Sequence, residues 1–503
     1  MKARSTQITG ASQWSGKTTW MLSQDFYRHC EAADTAIAVF DTHRTFGEKC
    51  AGHAIEMGRG GDTIFVDLGS KFLGGPGITL RSTATDPFEK ARDNREYARA
   101  AGSAMTLHRP GASLDQTRTT KEFFLLAFRA WQLTNLPAPL MMNFLRPWTT
   151  SFDLQYNQLP EGDIKDKLKG VKMMGNSTTF HTLVGPALRL LEELFEEPIF
   201  ANLLDATFNL EPFIRNCGIF IVIGSGDKFV DRVIMRMFRF RYSQAIRKNW
   251  ALTEEPLPCR IYIDEASKMI GEAEAEDLAE CLKMGLSHVI ASQIADYGDP
   301  VVTQMVEENT QEKVFMHPGS MKSAEDAAKH LSFNLNPWMV HHQTTQRHTE
   351  DDGYRIVQTI STGEREGDKR VNDSIITKRK LVEEKQDHYF SLTDQQTMNR
   401  VELMRLGTGW AYIRRGPVLI GPDYYEPKPP PFGYDKACKP YIEELIQRRV
   451  EQGILRLAKL WASSSTPTTT VPPSNTNGKP SNNGHQNGKP RKKKISPSLK
   501  RRN

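Results

Sequence analysis

Apolar residues along this chain gather in short runs that end on a polar group. Ala36 to Phe40 run into Asp41, Thr63 to Val66 into Asp67, Ile261 to Ile263 into Asp264, and Val289 to Ala291 into Ser292 and Gln293. Runs of this length bounded by polar residues read as buried strands. Gly218 to Gly224 is another and reads as a central strand, far too short to span a bilayer. Residues 5–9 supply a short strand and 19–30 the helix after it. With the strand at 36–41 they make a βαβ unit, whose crossover is right-handed. Residues 86–105 read as helix. From about 106 to 205 the pattern turns helical throughout: 121–133 and 186–195 carry apolar residues at three- and four-residue spacing, and Pro147, Pro160 and Pro186 punctuate the segment. Strands and parallel crossovers resume near 206. The pattern therefore predicts an α/β chain with a mainly parallel central sheet and an inserted all-helical domain.

Candidate chemistry sharpens this. Ala11, Ser12, Gln13, Trp14, Ser15, Gly16, Lys17, Thr18 and Thr19 form a relaxed Walker A loop, with Ala11 where the strict pattern has glycine. It lies between a predicted strand and a predicted helix, the context in which such a loop cradles phosphate with its backbone N–H groups. Gly16 lets the backbone approach closely. Lys17 would meet the β and γ phosphates of ATP, and Thr18 would hold Mg²⁺.

A P-loop ATPase also needs a carboxylate on a second strand. Asp264 would sit at the C-terminal end of its strand, where ligands bind in parallel sheets, and hold Mg²⁺ through water. Glu265 comes directly after and would polarise the attacking water. Read alone, the same pair could open a helix at 266–271 and favour its dipole. Gln293 is a candidate sensor of the γ phosphate, or a plain strand-end residue in a turn. Asp41 would end its strand near the nucleotide or a neighbouring subunit, or cap the turn at 41–44.

These endings, in this order, resemble the HerA/FtsK superfamily of RecA-like P-loop ATPases, and more narrowly the TraG/TraD-type coupling proteins of conjugative type IV secretion. The resemblance covers roughly 5–68 and 205–425 and is weak from 69 to 204. It rests on the Walker A loop, on Cys217 to Gly224 followed by a long helix at 230–248, on Asp264 and Glu265, and on Lys283, Met284, Gly285 and Leu286 leading to Gln293. Beyond these stand Glu312 to Met316 followed by Ser323, Ala324 and Glu325, and the segment from Leu406 to Pro417, which resembles the closing hairpin of these motors. The strand ending Asp41, Thr42, His43 departs from the family's Asp-Pro-Lys-Gly-Glu, and no apolar span like the membrane anchor common in the group is read from this sequence.

The resemblance implies an ATP-hydrolysing DNA translocase that delivers DNA, or a relaxase–DNA complex, to a conjugative transfer apparatus. It implies a homo-oligomeric ring, hexameric in the family, with relaxase and membrane secretion-channel proteins as partners. It also implies a helical insertion that caps the ring and helps select cargo. Lys17, Glu265 and Gln293 would carry catalysis. A genome-packaging or chromosome-pumping motor of the same superfamily would share these motifs. A nucleotide-gated adaptor without motor activity is the reading from another class, and it has no need of a base at Glu265.

Composition sets the remaining bounds. The 503 residues suffice for two or three units, and net charge is +6. Residues 463–503 hold nine Lys or Arg and no Asp or Glu, which leaves 57 basic and 60 acidic residues over 1–462. The positive excess belongs to this tail, rich in Ser, Thr, Pro, Asn and Gly, which reads as disordered. Its basic clusters at 491–494 and 500–502 suit phosphates or an anionic membrane face, or serve only solubility.

The long helix at 230–248 is also basic, with Arg232, Arg236, Arg239, Arg241, Arg247 and Lys248. It could line a DNA-facing pore or subunit interface and supply an arginine finger, for which Arg232, Arg236 and Arg239 are candidates, or present a solvated face. Residues 341–379 are polar and suggest a hairpin or subunit-facing loop. An amphipathic helix is expected at 439–460.

Six cysteines show no metal-like spacing, so free thiols in a reducing cytosol are expected. No signal peptide or apolar span stands out, which places the protein in the cytoplasm, peripheral at the inner membrane face through partners. The expected organisation is ATPase domain over 1–105, helical insertion over 106–205, ATPase domain again over 206–430, a C-terminal helix over 431–462 and the tail.

Overall fold

The longest apolar runs occupy the middle of a nine-stranded sheet. In chain order its strands are β1 (Thr6–Thr9), β2 (Ala36–Asp41), β3 (Thr63–Asp67), β4 (Ile219–Ile223), β5 (Cys259–Asp264), β6 (Leu286–Ser292) and β7 (Glu312–Phe315). After a separate ribbon made of β8 (Val340–Thr362) and β9 (Lys369–Tyr389) come β10 (Trp410–Arg415) and β11 (Val418–Tyr424). The computed structural model describes residues 4–11, 15–69, 80–82, 84–105, 114–196, 200, 204, 210–226, 229–293, 296–331, 340–362, 369–416 and 418–425. All of them lie within the first of two compact units, 1–456. The amphipathic helix expected at 439–460 and the basic tail lie outside the described residues.

Strand order is β11-β10-β7-β1-β6-β5-β2-β4-β3. The pairs from β7 through β3 are all parallel, and β10 runs antiparallel to both β7 and the edge strand β11. This is the mainly parallel, RecA-like sheet that the motif order implies. Central parallel strands are covered on both faces, so every residue of β2, β4, β5 and β6 is buried.

Alternate residues feed two cores. Ala38, Phe40, Phe220, Val222, Ile261 and Ile263 join one apolar cluster with Phe124, Phe128, Trp131, Phe144 and Phe180 of the 114–196 segment. That segment is helical, including Leu114–Gln132, Asp163–Met174 and Gly185–Glu196, and shares a continuous core with the sheet face it covers. Ile37, Val39, Ile219, Ile221 and Tyr262 face the other cluster, with Trp20, Phe26 and Phe46 of the helices after β1 and β2.

The basic helix, Phe229–Thr253, departs from expectation. Arg236, Arg239 and Arg241 are buried. Arg236 donates to Glu274 through Nε at 3.0 Å and Nη2 at 2.5 Å, and Arg239 approaches Glu274 at 3.4 Å and Asp277 at 3.7 Å. Arg247 pairs with Asp277 at 2.7 Å, Arg241 with Glu211 at 3.4 Å, and Lys248 with Glu89 at 2.7 Å. Arg236, Arg239 and Arg241 are enclosed and paired with acids, so they are not presented to DNA, and Arg236 and Arg239 are not free to reach a neighbour's nucleotide, while Arg247 and Lys248 stay about a third exposed. The acids that claim them sit on Glu272–Glu280, a helix that comes after β5 in the chain. Glu274→Gln keeps the shape but leaves two buried guanidinium groups short of a counter-charge. It is expected to cost about 3–5 kcal/mol of unfolding free energy in urea. A loss under about 1 kcal/mol would show the pair to be dispensable.

The polar segment at 341–379 falls within β8 and β9, an antiparallel ribbon that stands apart from the nine-stranded sheet. In its register Arg347 lies opposite Glu383, Glu350 opposite Lys380 and Asp351 opposite Arg379.

Candidate nucleotide-binding site

β1 ends at the C-terminal edge of the sheet and the chain turns out of it. Gly10 N–H still donates to Ser292 O at 3.2 Å, and Ala11 N–H to His317 O at 2.8 Å. Gly16 has φ 96°, a left-handed conformation that a side chain would strain, and precedes the helix. The helix starts at Lys17, two residues earlier than the spacing suggests. It runs as Lys17–Trp20, a π-helical stretch Met21–Phe26 and Tyr27–Ala32. Ser12, Gln13 and Trp14 lie outside the described residues.

Ser15 Oγ donates to Ala11 O at 2.8 Å, holding the two ends of the loop together. Lys17 is buried, and its Nζ donates to Gly10 O at 3.0 Å and also to Ala11 O. The ammonium thus sits against the two residues at which the chain leaves β1. Burial lowers its pKa, and Glu265 and Asp264 oppose that shift through their charge. Thr18 and Thr19 are half-buried on the first turn.

Asp264 ends β5 and stands beside Asp41 in the register of β2 and β5. Burial, then the nearby charges of Asp41 and Glu265, push the Asp264 carboxyl up to about 7 against the pull of Lys17. Asp41 is fully buried. Its Oδ1 accepts from His43 N–H at 2.8 Å and its Oδ2 from Gly47 N–H at 2.9 Å. Both oxygens therefore serve the turn and the helix Thr45–Glu56, and Asp41 bears on the site through its charge. Burial pushes its pKa up too.

Glu265 adopts φ 58° and ψ 50°, a left-handed conformation that costs a non-glycine residue energy and recurs at functional sites. The next element is a three-residue 3-10 turn, Ala266–Lys268, and not the helix 266–271 that would have used Glu265 as an N-terminal acid. Gln293 Nε2 donates to Glu265 Oε1 at 3.1 Å. Thus β1, β5 and β6 bring Lys17, Asp264, Glu265 and Gln293 to one edge of the sheet, with Thr18 on the helix beside them.

Arg44 is not singled out by the sequence, and the segment from Leu406 to Pro417 reads there only as a hairpin, without its approach to the loop. Arg44, at φ 73°, makes a bidentate pair with Asp67 at the end of β3, both contacts 2.7 Å. Asp67 was visible only as a strand ending. The turn before β10 also covers the loop. Gly409 N–H reaches toward Ser15 O at 3.5 Å, and a Cβ on Gly16 would stand 3.3 Å from Gly409 N. Gly407 and Gly409 flanking Thr408 are the signal for that close approach.

No protein-family model matches the sequence, and no curated protein does. Solved structures do match. The unbound form of the bacterial conjugative coupling protein TrwB aligns over 86% of this chain and 88% of its own, with TM-score 0.54 and 14% identity. This chain is similar in fold to a conjugative coupling protein. TrwB in complex with ADP and Mg²⁺ gives the same figures. TrwB with a non-hydrolysable ATP analogue aligns over 84% of this chain and 86% of its own, with TM-score 0.53 and 13% identity. No helix among the described residues is long and apolar enough to cross a membrane.

Proposed function

We propose that this chain is an ATP-hydrolysing DNA translocase of the conjugative coupling type, working as a homo-oligomeric ring, hexameric by resemblance. The observation that carries the nucleotide half is the meeting of Lys17, Asp264, Glu265 and Gln293 at one strand edge. The fold shared with TrwB supports the rest.

The residues fit Mg²⁺ with a triphosphate. Burial lifts Asp264, and Asp41 and Glu265 add negative charge beside it that Lys17 only partly offsets. Hard oxygen ligands, one hydroxyl and one carboxylate beside phosphate oxygens, suit this ion. When bound it would neutralise charge on the β and γ phosphates. Thr18 Oγ1 and Asp264 are the groups that would hold it, Asp264 through water.

The chain's own work is positioning. Loop N–H groups and Lys17 bind phosphate oxygens, and Lys17 exchanges its carbonyl partners for them. Glu265 takes the proton of the attacking water, and Gln293 orients Glu265 through the hydrogen bond already present. The strained backbone at Glu265 favours hydrolysis over an adaptor that only binds nucleotide. The helical segment is proposed as the insertion that caps the ring, with relaxase and secretion-channel proteins as partners at the inner membrane face.

ATP turnover is expected to rise on adding DNA, and the protein to displace streptavidin from a biotinylated DNA end only when ATP is hydrolysed. Binding without turnover would favour the adaptor. Turnover indifferent to DNA would remove the motor.

A further inference from the structure

Arg260 lies near the start of β5, at the edge of the sheet opposite the nucleotide site. Its guanidinium is buried and joins its own strand to three other segments. Nε donates to Asp25 Oδ1 and Nη2 to Asp25 Oδ2 at 2.5 Å, while Nη1 donates to Arg4 O at 2.9 Å and to Ser287 Oγ at 3.0 Å. Tyr262, two residues along the same face of β5, donates its hydroxyl to Asp25 Oδ1 at 2.5 Å. Burial raises Asp25, and the charge and hydrogen bonds of Arg260 outweigh it, holding the carboxyl below its usual range.

The four segments joined here carry the candidate site at their other ends. Arg4 precedes β1, which leads into Gly10 and Ala11. Asp25 lies on the helix that begins at Lys17 and Thr18. Arg260 lies on the strand that ends at Asp264 and Glu265. Ser287 lies on β6, which runs to Gln293. The spans match: eight residues of helix from Lys17 to Asp25 cover about 12 Å, and four residues of strand from Arg260 to Asp264 about 13 Å. Asp25 also falls inside the π-helical stretch Met21–Phe26. One residue inserted in a helix rotates the remainder of that helix by about 100°. The irregular turn thus sets the direction from which Asp25 meets Arg260.

We propose that Arg260 is a positioning residue: its fork on Asp25 fixes the Lys17–Thr18 turn against the Asp264–Glu265 strand end, and so sets the geometry in which Mg²⁺ and triphosphate are held. This rests on the nucleotide reading above. It goes beyond it in placing control of that geometry at the far edge of the sheet, in groups that touch neither phosphate nor metal.

Arg260→Lys keeps a positive charge and loses the two-pronged geometry. The full chain carrying it is compared with wild type for binding of a fluorescent ATP analogue in EDTA, for the Mg²⁺ concentration giving half-maximal turnover, for kcat and KM, and for folded fraction by circular dichroism. Analogue affinity in EDTA should stay within about twofold of wild type. Half-saturating Mg²⁺ should rise and kcat fall by about tenfold, the scale on which groups that orient metal ligands act. Tyr262→Phe removes one hydrogen bond from Asp25 and should move the same two quantities by about two- to threefold, which keeps the test open if Arg260→Lys does not fold. Unchanged Mg²⁺ dependence in folded variants overturns the proposal. So does a fall in EDTA binding, Mg²⁺ response and turnover together in proportion to folded fraction, which marks a purely structural role. Wild type that binds no analogue sinks the nucleotide reading itself. Wild type that binds and turns over while the variants match it sinks only the role of Arg260.

Discussion

Lys17→Ala is expected to lower ATP turnover by about two to three orders of magnitude, the scale for losing one preorganised donor to a charged transition state. Lys17 is buried, donates to the carbonyls of Gly10 and Ala11, and lies within the field of Asp264 and Glu265. Without it a triphosphate would enter a pocket whose nearest fixed charges are carboxylates. Affinity for ATP should fall along with turnover. The check is steady-state phosphate release beside equilibrium binding of a fluorescent ATP analogue. Turnover that survives the substitution would remove the proposed site.

Glu265→Gln separates binding from chemistry. The amide keeps the size of the side chain and its contact with Gln293, and it cannot take a proton. Loss of a positioned base costs about 10² to 10⁴ in rate. Turnover should drop on that scale while ATP affinity holds, or rises slightly because one negative charge has gone. The readouts are single-turnover hydrolysis and the same binding assay. Normal cycling would mean another group activates the water.

Much of this arrangement could be read from the chain because it is local. Apolar runs with a polar ending are a property of a few adjacent residues, and all four of those named lie in sheet strands. The loop from Ala11 to Thr19 is equally compact. The features that escaped reading depend on pairing across distance. Arg236 and Arg239 look like an outward basic stripe until the acids of Glu272–Glu280 come to meet them. Gly409 is nearly 400 positions from the loop it covers. Arg44 acquires meaning through a positive φ that nothing in its neighbours announces. The segment at 341–379 reads as a hairpin or a subunit-facing loop, and β8 and β9 do pair as an antiparallel ribbon, whose length and register no local pattern announces.

The position of β1 in the sheet has a consequence for how the chain comes to be built. Thr6 is registered against Val289 on one side and Glu312 on the other. A ribosome releases the first strand long before either neighbour exists, so during most of synthesis this segment has no permanent home. The strand that leads into Lys17 therefore takes its place in the sheet only once about three hundred residues have emerged, a late closure typical of contacts far apart in sequence.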